Sequence, residues 1–515
     1  MSPNNHPLML WKVYALYNVF LVIAAFFSEG WQQPDEHARV LEAAHLVAYG
    51  YATLPWEFDA VHPIVSMLLG VLHAPLLMVT RAFSWSGGSE AALMRAFAGV
   101  INSTRLLAFY GILYQFRFSL RYCRMGTILY AVSIFGPMLF LRTSQENYAT
   151  TALLWALYCL LSAKNQKSGW VLFGMLLSLA ASFRLQVGFA SLGLLIAFVL
   201  QVPNWFRWGK WVVGGLLLGL IPMAIVDTVY TGAPFTPAWN YLQYAMSNEG
   251  GGAIWGESPW YFYCKEYFLT WFPPFSILLL PLILYSLGTH WFLLFPVLLF
   301  SFVHMVLGHK EVRYFTPMVP FFFLASLDGI RWACRRLRIQ YTIRESFIRG
   351  PWFMLGFGIY GGIGLAAAFI PLNTSPRLYQ ELARQQKLHH DHYTFTYVGN
   401  TRSGVSQFYY KHPNLPPPEK WTLPEFFQWM HTIPYQELAQ ADKSVRPEHR
   451  RFALYALRFH ELREVLQYCE LEFVPLPNRI FHFLLHHDRL VATQRIHGIV
   501  RCPVKSVKNK LVTPL

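Results

Sequence analysis

Asp35 and Glu36 are adjacent carboxylates just past the first apolar run of the chain, Leu8 to Phe27. Carboxylates in that position are either general bases acting on a lipid-borne substrate or an ordinary solvated helix start. Far downstream, His309, Lys310, Glu311 and Arg313 put four ionisable groups within five positions, between two apolar runs. Charge at a membrane boundary is costly unless it is paired or used. A mostly cationic block with one acid suits an anion such as a lipid phosphate; the bland alternative is a polar hairpin between spans. An aromatic-rich stretch, 227–263, carries Tyr230, Asn240 and Trp260. Its rings are either an interfacial belt or platforms for sugar faces. The polar turn from Arg142 to Asn147 adds a further cation, and Arg184 between two apolar runs is either an interfacial anchor or a second phosphate contact.

The elements that must position these groups follow from composition. Of 515 residues, 54% are hydrophobic and only 13% charged, about half the charge of a soluble domain, so the chain is a polytopic membrane protein. Its net charge of +15 is no sign of nucleic acid, because much of it clusters between apolar runs as a topology signal. Apolar runs recur at about 62–80, 91–116, 125–141, 149–163, 169–183, 187–201, 211–227, 272–288, 291–308, 312–330 and 352–371. Basic clusters lie at Arg117–Arg124, Lys164–Lys167, Arg207–Lys210 and Arg331–Arg349. All four fall on the cytoplasmic side if the run at 62–80, with His62-Pro63 and Pro75, stays on the outer surface. This predicts eleven spans, N-terminus inside, with the Asp35 loop, the 309–311 turn and the tail outside. The first run reads as an uncleaved anchor.

Pro34 suits a first helical turn, and Val40, Ala43, Ala44, Val47 and Ala48 recur at helical spacing while Arg39, Glu42 and His45 take other positions. The expectation is an amphipathic helix lying on the membrane. The hydrophobic runs stop near 371, which divides the chain into a membrane domain at 1–371 and a soluble, extracytoplasmic mixed α/β domain at 372–515. In the tail, Phe452–Leu466 reads as helix, and His392–Tyr410 and Leu471–Leu485 as strands. Cys469 and Cys502 are the pair open to a disulfide. His389, His390, Asp391 and His392, like His486-His487-Asp488, read as solvated surface, since consecutive positions cannot all face one ion.

Taken together, these motifs resemble glycosyltransferase family 22 of the GT-C superfamily, the polytopic α-mannosyltransferases that act on glycosylphosphatidylinositol precursors and lipid-linked oligosaccharides. The first-loop signature is matched by Pro34, Asp35, Glu36, Glu42, His45, Gly50, Trp56 and Glu57. The His-Lys-Glu-x-Arg block is matched by His309, Lys310, Glu311 and Arg313, with Tyr314 in place of Phe. Looser patterns survive at Asp227, Tyr230, Gly232, Pro237 and Asn240, at Trp255, Gly256, Pro259 and Trp260, and at Arg142 and Thr143. The resemblance covers roughly residues 10–330. Two departures, Asp59–Pro63 after Trp56-Glu57 and the lack of a Cys-His-x-Thr-Pro tail pattern, touch acceptor identity more than reaction type.

The resemblance implies a polyprenyl- or dolichyl-phosphate mannose donor, a lipid-linked glycan acceptor, inversion to an α-mannoside, and neither metal nor cofactor. Asp35, with Glu36 second, would be the general base. His309, Lys310 and Arg313 would hold the donor phosphate, with Glu311 orienting them. Glu42, His45, Trp56, Glu57, Tyr230, Asn240, Trp260 and Arg142 would contact substrate. The missing tail pattern leans toward a bacterial inner membrane with a periplasmic site; the alternative is the endoplasmic reticulum lumen. Two other readings remain: transfer of another sugar onto lipid A or a cell-wall lipid, and a lipid or solute transporter, which would show repeated halves and midplane breaks that this sequence lacks.

Overall fold

The computed structural model describes residues 6–370, except 31–33, 60, 134, 248–255, 271–274, 340–347 and 349. Beyond 370 it describes 375–388, 395–398, 419–421, 449–458, 462, 465–466, 469–474 and 495–503. The histidine-rich stretches at 389–392 and 486–488 lie outside the described residues.

The body is a bundle of apolar helices. Gln145–Ser162 is its central member. Buried on nearly every face, this helix packs against Arg105–Gln115, Lys167–Phe183 and Val187–Gln201. Lys167–Phe183 and Trp205–Thr231 form the tightest pair. A Cβ on Gly174 would lie 2.1 Å from the Val212 carbonyl oxygen, and one on Gly215 2.0 Å from that of Val171. With Gly219 one turn on, these residues let two backbones approach as larger side chains would forbid.

Eleven spans were expected; among the described residues two helices are long and apolar enough to cross a membrane, Gly87–Gln115 and Trp205–Thr231. Leu279–Thr289 and Trp291–Val306 would make a third if their 112° bend lies within one span. The predicted run at 125–141 divides into Leu120–Ala131 and Pro137–Phe140. The run at 62–80 becomes the 15-residue helix Leu68–Ala82 around Pro75, shorter than the ~17–25 residues a span needs.

Three helices relate the two ends of the bundle. Lys167–Phe183 runs from the Lys164–Lys167 cluster to Arg184, Trp205–Thr231 runs from Arg207 and Lys210 to Asp227, and Val319–Arg336 runs from the Arg313 segment to Arg331, Arg335 and Arg336. At ~1.5 Å per residue each separates a basic end from a polar end by roughly 25 Å or more. The 309–314 block, Arg184 and Asp227 therefore lie at the end away from the basic clusters.

After the first helix, His6–Phe27, the chain forms a short turn of helix, Pro34–Glu36, a π-helical turn, His37–Leu41, and the helix Glu42–Tyr49. This segment is not a surface helix with a solvated polar face. Glu42 is 1% exposed and His45 0%, because Leu68–Ala82 covers the segment. The loop that follows turns back at Gly50, whose φ of +87° ends the helix. It delivers the Thr53 N–H to Glu42 Oε2 (3.0 Å) and the Tyr51 carbonyl to His45 Nδ1 (2.9 Å). Hydrogen bonds from the loop that follows let these polar side chains be buried, so periodicity alone overstates their exposure.

In the tail, a five-stranded mixed sheet runs in the order β2-β1-β3-β5-β4, with β1 Phe395–Val398, β2 Glu419–Trp421, β3 His449–Arg458, β4 Glu470–Phe473 and β5 Arg495–Pro503. β1 pairs parallel with β2 and β3, while β5 pairs antiparallel with β3 and β4. The expected helix at Phe452–Leu466 is overturned over 452–458, which is strand: the Ala- and Leu-rich sequence favours helix locally, but pairing on both edges prevails. Cys469, just before β4, is disulfide-bonded; the side chain of Cys502 in β5 is outside those described. Leu378 and Tyr379 of the helix Ser375–Leu388 and Ile499 of β5 belong to the same buried cluster as Val40, Leu41 and Ala44. Arg377 Nε meets Glu29 Oε2 at 2.5 Å. The tail thus backs the segment that carries Asp35.

Candidate active site

The exit of the first helix is fixed by buried arginines. Arg95 Nε donates to the Ala25 carbonyl at 3.0 Å. Arg142, 1% exposed, donates to the carbonyls of Gly30 (3.2 Å) and Ser28 (3.4 Å) and to the Ser28 hydroxyl. Arg142 therefore braces the loop leading to Asp35. The π-helical turn then sets Arg39 on Asp35, Nη1 to Oδ2 3.1 Å.

The second half of the site rests on aromatic packing. Phe315 is buried and stacks on Tyr263, ring centroids 4.8 Å apart, and Tyr267 donates its hydroxyl to the Val312 carbonyl at 2.9 Å. These contacts hold the 3-10 turn Val312–Met318, which presents Arg313. Lys310 faces inward instead: its Nζ donates to the carbonyls of Ser258 (2.9 Å) and Leu307 and tethers the 256–260 loop. Burial holds its pKa below the usual lysine value, against a raising effect from Glu257.

The two halves meet. Arg313 Nη2 donates to Asp35 Oδ2 at 2.7 Å, and its Nε donates to Glu311 Oε2 at 2.7 Å. His309 Nε2 lies 3.2 Å from Glu311 Oε1, which also accepts from the Tyr314 hydroxyl at 3.0 Å. On the other side, Arg39 Nη2 reaches Glu57 Oε1 at 3.1 Å. An alternating chain of charges results: Glu57, Arg39, Asp35, Arg313, Glu311. Burial pushes the Asp35 carboxyl up, but Arg39 and Arg313 outweigh it and hold it down at about 2. Glu311 is also lowered, burial being outweighed by Arg313 and His309.

The remaining sequence candidates divide by placement. Glu36, Glu42 and His45 are buried; Glu42 pairs with His37 Nε2 at 3.2 Å and His45 stacks on Tyr49 at 4.3 Å. Asn240 Nδ2 donates to the Pro63 carbonyl at 2.9 Å and joins two loops. Trp56 is exposed and packs against Tyr244, ring centroids 5.7 Å apart. Tyr230 and Trp260 are exposed, 42% and 66%. Of this group, Glu57 joins the charge chain, through Arg39.

Sequence reasoning underweighted three residues. Arg39 looked like one more polar helix position; its i,i+4 spacing from Asp35 was the available signal. Arg184 is buried, with Nη2 3.4 Å from Glu146 Oε1 and Nη1 3.2 Å from Gln145 Oε1. Its guanidinium lies 4.9 Å from the Tyr314 ring centroid. Tyr314 looked like a neutral replacement for Phe but places a hydroxyl on Glu311.

A family model for the Alg9-like mannosyltransferase family matches residues 11–401, more than half of the chain. Alpha-1,2-mannosyltransferase ALG9 of Homo sapiens is 25% identical over 384 residues, 67% of this chain and 60% of the relative, so the chain spans less than two thirds of that protein. GPI mannosyltransferase 3 of Candida albicans is 25% identical over 336 residues, 62% of this chain and 64% of the relative. Among solved structures, ArnT from Cupriavidus metallidurans bound to undecaprenyl phosphate shares the fold with a TM-score of 0.52 at 12% identity, covering 96% of this chain and 98% of ArnT. The motifs, their convergence at one end of the helical bundle and the extent of the match agree: the chain belongs to the Alg9-like mannosyltransferase family.

Proposed function

We propose that the chain is an inverting α-mannosyltransferase that moves mannose from polyprenyl- or dolichyl-phosphate mannose to a hydroxyl of a lipid-linked glycan, at the extracytoplasmic face of a membrane it crosses many times. The observation that carries this reading is the contact between Asp35 and Arg313, a potential base and a potential phosphate cation joined across 278 residues. Family membership supports mannose as the sugar, and the undecaprenyl phosphate named with the ArnT structure supports a lipid-phosphate donor. Basic clusters at the far end of the bundle support an extracytoplasmic site. Residues 1–371 form the catalytic membrane domain and 372–515 an extracytoplasmic domain that backs the Asp35 segment.

Asp35 takes the proton of the acceptor hydroxyl as that oxygen bonds to the anomeric carbon. The bond from the anomeric carbon to the phosphate oxygen breaks, and its electron pair leaves on the lipid phosphate. Arg313, with His309, neutralises that developing charge. In the resting arrangement Asp35 is a weak base because two guanidiniums hold its charge. A donor phosphate on Arg313 competes with Asp35 for that cation and restores its basicity at the moment the acceptor needs it. Glu311 keeps Arg313 aimed during the exchange. Replacing Asp35 by Asn tests the scheme: turnover is lost while donor still binds, whereas a transporter would keep its flux.

A further inference from the structure

Beside the charge chain lies a cavity of about 60 Å³ that none of the motifs anticipates. Six segments converge on it, and their polar members include Arg39, Gln145, Ser182, Arg184, Gln186 and Tyr241. Ser182, Arg184 and Gln186 are each more than nine-tenths buried. Gln186 Nε2 donates to the Tyr241 hydroxyl. Ser182 Oγ and Arg39 Nε are buried and reach no hydrogen-bond partner among the described residues. Buried polar atoms without partners are rare in native structures, and here two of them belong to residues that line the same cavity.

The chemistry of the lining selects its occupant. Both guanidiniums are already neutralised, Arg39 by Asp35 and Glu57, Arg184 by Glu146. The cavity therefore offers hydrogen-bond donors and acceptors without excess charge, which suits a neutral polyol better than an anion. Met223 and Pro237 supply an apolar wall against which the C–H face of a ring can pack. At about 60 Å³ the space admits a few oxygen-sized groups, the edge of a sugar rather than a whole glycan. Arg39 ties the cavity to Asp35, and Arg184 over Tyr314 ties it to the phosphate block.

We infer that this cavity holds the hydroxyl edge of a hexopyranose, carried by either the donor or the acceptor, with Ser182 and Arg39 as its waiting partners. The inference deepens the transferase reading and rests on it. A pocket that hydrogen-bonds sugar hydroxyls rejects an epimer more strongly than an apolar pocket does, so these side chains set sugar specificity.

The test uses the full chain in nanodiscs, with Ser182→Ala and Gln186→Ala as variants. Equilibrium binding is measured for undecaprenyl-phosphate mannose, for sugar-free undecaprenyl phosphate and for methyl α-mannobioside. If the cavity holds the donor sugar, the variants weaken undecaprenyl-phosphate mannose by about 5- to 10-fold and leave the sugar-free lipid unchanged. If it holds the acceptor sugar, the same loss falls on methyl α-mannobioside alone. Unchanged binding of both sugars to Ser182→Ala overturns the proposal and leaves a hydration site only. Arg313→Ala separates the underlying reading: if it does not weaken the sugar-free lipid, the phosphate assignment fails whatever the cavity variants do.

Discussion

Arg313 bridges two carboxylates, Asp35 through Nη2 and Glu311 through Nε, each at 2.7 Å. One acid comes from the first loop and the other from its own turn. A guanidinium can do this because its nitrogens are fixed in a planar fork; an ammonium presents a single point of charge. A third anion that reaches this cation must share its charge with the two carboxylates, which loosens the hold on Asp35.

Asp35→Asn is expected to lower turnover by about 10²–10⁴-fold, the range typical of a lost general base. Binding of sugar-free undecaprenyl phosphate to the same variant is expected to stay within a few-fold of wild type, since Arg313 remains. Radiolabelled mannose transfer and equilibrium binding check the two halves. Retained turnover would remove Asp35 from the chemistry.

Arg313→Lys keeps the charge but loses the fork. Turnover should fall by at least about tenfold, because a lysine cannot hold Glu311 and meet phosphate in the same geometry. Arg313→Ala should fall further and raise the donor KM. Equal kinetics for Lys and Arg would show that only net charge matters there.

The acid side of the pH profile follows from Asp35. Its folded-state pKa, about 2, lies below the ordinary 3.8. Its contribution to stability is therefore full above pH 3.8 and disappears as pH falls from there through 2. Thermal stability of wild type relative to Asp35→Asn should narrow over that window. If donor phosphate draws Arg313 away, the acid limb of kcat, which reports the bound complex, lies at higher pH than the limb of kcat/KM, which reports the free enzyme. Coincident limbs would contradict the exchange.

Glu311→Gln removes the charge that steadies Arg313, while His309 and Tyr314 keep an oxygen to bond. Turnover should fall by about tenfold with the fold intact. Tyr314→Phe, which loses only the hydroxyl on Glu311 (3.0 Å), should fall by no more than about threefold.

Gly174→Val should destabilise the bundle without touching the site. Its added carbon would meet the Val212 carbonyl oxygen at 2.1 Å, backbone that cannot step aside, so overpacking of about 1–3 kcal/mol or more is expected. A lower unfolding temperature in detergent, with per-molecule turnover of the folded fraction unchanged, is the expected result.

The sequence alone determined the membrane class and the family and named the residue types that meet in the site, because those depend on residue type and order: an acid pair after an apolar run, a cationic block between two others. It could not determine which acid faces which cation. Periodicity set Glu42 and His45 apart from the apolar stripe, yet local loop bonds bury them; Lys310 was read from its charge, yet backbone carbonyls hold it. Arg39, Arg184 and Ser182 gain their meaning from segments far away in the chain. The strand at 452–458 likewise exists through its pairing on both edges rather than through any preference of its own residues. Only tertiary structure decides such matters, since the energies that place a buried charge come from neighbours that local sequence does not name.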